Sequence, residues 1–117
     1  MDPSYEIKSD YQKVSDALCQ AHRRLASGCY LLWYPVVERA RINRLEQQLR
    51  ESGIGRIQIY ELGVRADAEH SGMSASGMVA INAPYTLLND MQDTLPWLAK
   101  HLGDNDQGHY RAETLSE

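Results

Sequence analysis

Apolar residues recur at helical spacing in the first stretch of the chain. Tyr11, Val14, Leu18, Ala21 and Leu25 fall three and four apart and predict a helix over 10–27 with one buried stripe. Ser9 or Asp10 can cap its start, and Gly28 can end it. Residues 29–34, Cys-Tyr-Leu-Leu-Trp-Tyr, form an almost unbroken apolar run, the pattern of a strand covered on both faces. Pro35 is expected to stop its ladder. A second helix is predicted over 37–52, with Val37, Ala40, Ile42, Leu45 and Leu49 inward and Gly53 as terminator. Strands follow over 54–64 and 76–81, separated by a polar loop at 65–74. Leu87, Leu88, Met91, Leu95, Leu98 and Leu102 predict a last helix, kinked or split at Pro96. Residues 103–117 are polar and are expected to be loosely held.

This order is helix–strand–helix–strand–strand–helix. A helix between strands implies a parallel crossover and an α/β layered sheet. The last two strands, with no helix between them, are expected to be antiparallel neighbours. Three strands make a narrow sheet, and the first helix has no strand before it.

Composition narrows the class. The chain has 117 residues, 43% of them apolar and 24% charged, which fits one small globular unit rather than a disordered chain. No apolar run is long enough to span a membrane, and the opening residues do not form a secretion signal. Cys19 and Cys29 make no disulfide framework, so a reducing cytoplasm is expected. The net charge of −4 hides an asymmetry: residues 1–60 sum to +2 and residues 61–117 to −6. An anionic partner would therefore favour the first half, through Arg23, Arg24, Arg39, Arg41 and Arg44, although solvated helix faces account for the same charges.

Three segments could carry chemistry. Asp2-Pro3-Ser4-Tyr5, just before the first helix, is a rigid polar turn. Its carboxylate or a proline-fixed carbonyl can accept from an amine, and its ring can stack on a planar base. An ordinary helix-entry turn has the same composition. Asn82-Ala83-Pro84-Tyr85 has a similar form at a strand exit, where α/β sheets often bind ligands, but the exit also needs a turn. Gly72-Met73-Ser74-Ala75-Ser76-Gly77-Met78 precedes a strand, as does Gly53-Ile54-Gly55, so neither is a phosphate-cradling loop that opens a helix. His22, His70, His101 and His109 show no metal-ligand spacing, and Cys29, inside an apolar run, is expected to be core.

Taken in order, the Asp2-Pro-Ser-Tyr-Glu6 opening, Gly28 to Val36 with Arg39, Glu61-Leu62, Gly72 to Met78, Ile81-Asn-Ala-Pro-Tyr85 and Leu95-Pro-Trp-Leu98 resemble the bacterial 23S ribosomal RNA adenine-N6 methyltransferases. That family has also been labelled as proteins for catabolism of external DNA. The resemblance runs from residue 2 to about 103. It implies an α/β fold: the C-terminal part of a three-layer, Rossmann-like, S-adenosylmethionine-dependent methyltransferase with a terminal antiparallel strand pair. Residues 1–103 would belong to that domain, and 104–117 would form a polar tail. By the same resemblance Asp2 is the catalytic residue, accepting from the adenine amino group beside the cofactor's methyl-bearing end. Pro3, Ser4 and Tyr5 bind the substrate base. Ser4 stands where the family usually has proline, and no catalytic role is carried onto Asn82-Ala83-Pro84-Tyr85.

The resemblance further implies that most of the S-adenosylmethionine site lies outside this chain, so the isolated chain is expected to be inactive. Its partner would be ribosomal RNA, with no metal and no membrane, in the cytoplasm. The full-length enzyme is expected to be a monomer, while the strand edge at 29–34 would favour self-association of the piece alone. The alternative is a non-catalytic half-domain that binds RNA or itself.

Overall fold

The structure is a computed structural model that describes residues 9–66 and 73–117. Its elements are α1 (Ser9–Arg24), β1 (Tyr30–Val36), α2 (Arg39–Glu51), β2 (Ile57–Gly63), β3 (Ala75–Ile81), α3 (Leu87–Leu102), a 3-10 turn (Asp104–Asp106) and β4 (His109–Ser116). The strands form one sheet in the order β1-β3-β2-β4, and every neighbouring pair is antiparallel.

The expected parallel crossover is present, but its two strands are not neighbours in the sheet. β1 and β2 do point the same way, because both run against β3, and α2 carries the chain from one to the other. They are not hydrogen-bonded to each other, because β3 returns from β2 and fills the slot between them. The expected antiparallel pairing of the last two predicted strands is present.

The residues predicted to be loosely held include a fourth strand. β4 pairs with β2 along its length, from Gly63↔His109 to Ile57↔Ser116. Pro35 likewise does not stop β1: it pairs with Ser76, inside the strand. β1 is an outer strand of the described sheet, and that is where a residue without an N–H is tolerated. α3 runs unbroken through Pro96. A helix-interior proline costs about 3 kcal/mol. Burial of Leu95 and Ala99 on the sheet, with Met91 and Leu98 packed beside them, offsets it.

Strand alternation sorts the core into two layers. One face of the sheet carries Leu32, Tyr34, Val36, Ile57, Ile59, Val79 and Ile81, buried under Tyr11, Val14 and Leu18 of α1 and Ile42, Leu45 and Leu49 of α2. The other face carries Tyr60 and Ala80 under α3. Both helical stripes are shorter than their sequence pattern. Leu25 lies beyond the end of α1 and is exposed, as are Val37 and Ala40 at the entry to α2.

Candidate functional site

α2 leaves the carboxyl end of β1, while the last turn of α1 leads into its amino end. Both helices therefore begin at the carboxyl edge of the co-oriented strands β1 and β2, the edge where α/β sheets bind ligands. Asp2, Pro3, Ser4 and Tyr5 lie outside the described residues, a few positions before α1.

Near this edge one row of residues crosses the whole sheet. Tyr34 of β1 pairs with Gly77 of β3, Gly77 with Glu61 of β2, and Glu61 with Arg111 of β4. The Tyr34 hydroxyl donates to Glu61 Oε2 at 2.5 Å, passing over the strand between them. Gly77 makes that crossing fit: a Cβ there would stand 2.1 Å from the Tyr34 ring. Nη1 of Arg39, in the first turn of α2, donates to both oxygens of Glu61 at 2.8 and 2.9 Å. Arg111 Nη1 reaches Glu61 Oε2 at 3.3 Å and also donates to Glu46 of α2, while its Nη2 donates to Glu113.

The Glu61 side chain is fully buried, so its charge has to be met by these donors. Two arginines and a phenol meet it. Burial, then the Glu61 charge and hydrogen bond, push the Tyr34 hydroxyl far above its ordinary range. Burial pulls Arg111 down, but the hydrogen bonds and charges of Glu46, Glu113 and Glu61 outweigh it and hold the guanidinium more firmly protonated. The cluster encloses the Glu61 carboxylate and leaves Arg39 and Arg111 each about a quarter exposed. Its geometry suits it to pinning α2 and all four strands near the carboxyl edge.

Tyr34, Arg39, Glu61 and Gly77, scattered through the sequence, thus meet in one place. Glu46, Arg111 and Glu113 escaped sequence reasoning. The available signals were a glutamate inside the apolar strand Ile57–Gly63 and another, Glu46, on the buried stripe of α2.

The remaining candidates separate from this edge. Asn82-Ala83-Pro84-Tyr85 follows β3, which runs the other way, so it sits at the amino ends of β1 and β2. Asn82 adopts a left-handed conformation with φ 57°. Its Nδ2 donates to the carbonyls of Ala26 and Gly28 at 2.7 and 2.9 Å, tying the α1–β1 turn to the sheet. Of the run Gly72 to Met78, Ser74 donates its N–H to Val36 at 2.8 Å and the following residues enter β3, as a strand lead-in rather than an anion cradle. Cys29 is exposed rather than core, because β1 begins one residue later.

The five arginines expected to form one basic surface divide among three places. Arg23 and Arg24 end α1 at the far edge, Arg39 is held by Glu61, and Arg41 and Arg44 flank a cleft between α1 and α2. Among the described residues no three His, Cys, Asp or Glu side chains are grouped to hold a metal, and no helix is long and apolar enough to cross a membrane. An open apolar hollow beside Trp33, Met78 and Met91 has a volume of about 160 Å³, small against the several hundred Å³ of ligand pockets.

Comparison with known proteins agrees with the sequence resemblance. Ribosomal RNA large subunit methyltransferase J of Escherichia coli (strain K12) is 44% identical over 109 residues, covering 93% of this chain and 39% of that protein. The protein of the same name from Haemophilus influenzae is 42% identical over 116 residues, covering 99% of this chain and 41% of its own length. The chain thus spans about two fifths of the length of these curated relatives. The crystal structure of protein LPL1258 from Legionella pneumophila superposes with a TM-score of 0.85 at 29% identity, covering 97% of this chain and 41% of that one. The family described as RsmJ, "Ribosomal RNA large subunit methyltransferase D, RlmJ", matches residues 1–116, and the chain belongs to it.

Proposed function

We propose that this chain is part of an S-adenosylmethionine-dependent methyltransferase that modifies the N6 amino group of an adenine in 23S ribosomal RNA. The observation that carries this reading is the family match over residues 1–116, which includes Asp2-Pro3-Ser4-Tyr5. The fold supports it. Two co-oriented strands with a reversed strand inserted between them supply the terminal antiparallel pair that a Rossmann-like methyltransferase requires. Both helices on one face begin at the carboxyl edge, and in the sequence the Asp2–Tyr5 segment stands a few residues before α1. On this reading the later part of the catalytic domain covers residues 1–103 and is extended by β4.

S-adenosylmethionine supplies the methyl group, and most of its site lies outside this chain. What this chain contributes is positioning. The Asp2 carboxylate accepts a hydrogen bond from the adenine amino group, with the Pro3 carbonyl as a second acceptor. Together they favour a more tetrahedral nitrogen, whose lone pair is less delocalised into the ring. Pro3 and Ser4 shape the pocket through their backbone, and Tyr5 stacks on the base. Asp2 is the acceptor within reach for the proton that the amino group releases. The buried Tyr34–Glu61–Arg39 cluster acts at a distance, by fixing the start of α2 against the sheet. The enzyme acts in the cytoplasm as a monomer, and the 117-residue chain alone does not catalyse transfer.

The experiment joins these 117 residues to the part of the Escherichia coli relative that they do not span. It then follows a labelled methyl group from S-adenosylmethionine into a 23S rRNA fragment. Label mapped to adenine N6 by mass spectrometry of the nucleosides is the expected result. Label at another atom, or none with a folded fusion, refutes the assignment.

A further inference from the structure

Between α1 and α2 lies a cleft to which the methyl-transfer reading gives no role. It has a volume of about 130 Å³ and is lined by Tyr11, Gln12, Glu38, Arg41, Arg44 and Gln48. Tyr11, Gln12, Glu38 and Arg41 lie in the opening turns of the two helices or just before them, and Arg44 and Gln48 follow further along α2, so the cleft opens near the carboxyl edge and runs along the helix pair. Tyr11 follows Tyr5 by six residues, a reach of at most roughly 20 Å at 3.3–3.6 Å per residue.

Its walls suit an anion. Arg41 and Arg44 are one helical turn apart on α2, close enough to share one ligand. The Arg41 guanidinium lies 5.9 Å above the Tyr11 ring. Its Nε is buried and stands 2.9 Å from Glu38 Oε2, yet is misaligned for a hydrogen bond, and its Nη2 reaches Glu38 Oε1 at only 3.3 Å. The Glu38 side chain is half exposed. Ion pairs of that kind are weak, so an incoming anion can displace it at little cost. Arg44 is exposed and has no ion pair among the described residues. Gln48 donates to Gln12 across the cleft and keeps a second N–H for a ligand, while the Gln12 amide donates to Asp16 at 3.0 Å. The amino end of α2 adds the positive end of a helix dipole, and its first turn holds no acid.

We propose that this cleft binds a phosphodiester of the RNA strand beside the target adenine, with Arg41 and Arg44 as its cations and Glu38 as the carboxylate it displaces. The proposal rests on the rRNA methyltransferase reading and adds to it a backbone-binding subsite. Phosphate contacts of this kind fix register and orientation rather than sequence.

The test measures binding of a fluorescently labelled 23S rRNA hairpin to the fused enzyme by anisotropy, over a range of salt concentrations. Each phosphate contact contributes about 0.7 to 0.9 to the slope of log affinity against log salt. Arg44→Gln, an exposed change that leaves the fold intact, is expected to lower the slope by about that amount and weaken binding several-fold. Arg41→Gln is expected to do the same. Glu38→Gln is expected to strengthen binding, an effect in the opposite direction that mere loss of packing would not give. Arg23→Gln, at the other end of α1, is expected to change neither. If the wild type binds the hairpin and Arg41→Gln and Arg44→Gln keep its slope, the cleft assignment is wrong while the methyltransferase reading stands. A wild type that transfers no methyl group and binds no RNA overturns both.

Discussion

The Tyr34 hydroxyl reaches Glu61 by crossing the face of Gly77, so that β1 and β2, which are not hydrogen-bonded neighbours, are joined through side chains over the strand between them. The missing side chain at position 77 is what makes this contact fit. Gly77→Ala would place a methyl group 2.1 Å from the ring. Overpacking of this kind costs about 1–3 kcal/mol, read as a lower urea midpoint. Tyr34→Leu in the same background should recover part of that loss. Independent, additive effects of the two changes would show that the ring does not lie over the glycine.

Glu61 accepts from Tyr34, Arg39 and Arg111. Glu61→Gln keeps the shape and removes the charge, leaving two guanidinium groups without their shared carboxylate. Breaking a buried pair from one side costs about 3–5 kcal/mol. Arg39 and Arg111 are each about a quarter exposed, so water screens part of this and a loss near 3 kcal/mol is expected. Tyr34→Phe leaves both arginines on Glu61 and should cost about 1–2 kcal/mol. Equal losses from the two variants in chemical denaturation would contradict the central place given to Glu61.

The same contact predicts an alkaline limit. Burial and Glu61 raise the Tyr34 hydroxyl above the ordinary value of 10.0 in the folded protein. The folded state therefore keeps a proton that the unfolded chain releases. Its stabilising effect is complete below pH 10 and is lost as the pH rises above that, by up to about 1.4 kcal/mol per pH unit. Burial of Tyr60 acts in the same direction. Tyr34→Phe should flatten the fall of stability between pH 10 and 11.5, and an unchanged slope would show that Tyr34 ionises freely in the fold.

Asn82 is assigned to structure and not to substrate. Asn82→Ala loses two hydrogen bonds and leaves a Cβ residue at positive φ, for about 2 kcal/mol of stability. Tyr85 is 89% exposed, and Tyr85→Ala should change stability little. Methyl transfer by the fused enzyme should survive both changes. Loss of transfer with stability intact in Tyr85→Ala would return this segment to the active site.

Much of the fold is legible in the chain. The apolar periods of Tyr11 to Leu18 and Ile42 to Leu49, and the runs at 29–34 and 57–63, mark two helices and two strands because their burial is nearly all apolar. β4 was illegible for the opposite reason. It carries Arg111 and the half-exposed Glu113 on the side of Leu115, and only Leu115 is a buried apolar residue, so the strand reads as a polar tail. What holds Arg111 inward is Glu46 and Glu61, which come from distant parts of the sequence. Pro35 does not end its strand because the local rule yields to an outer-strand position, and Pro96 does not split α3 because the helix is packed on the sheet. The Asp2–Tyr5 segment, which lies outside the described residues, stands out only as a motif in an ordered set. As an isolated turn, its four residues specify no chemistry.

The central assignment is that Asp2 holds the adenine amino group for methyl transfer. The most direct measurement is single-turnover transfer from S-adenosylmethionine to a 23S rRNA fragment by the fused enzyme, with Asp2 and with Asp2→Ala, alongside the 117-residue chain alone. N6-methyladenine is expected from the fused enzyme, none from the chain alone, and at least roughly a hundredfold slower transfer by Asp2→Ala with RNA affinity retained. Transfer by Asp2→Ala at the unmodified rate would contradict the assignment.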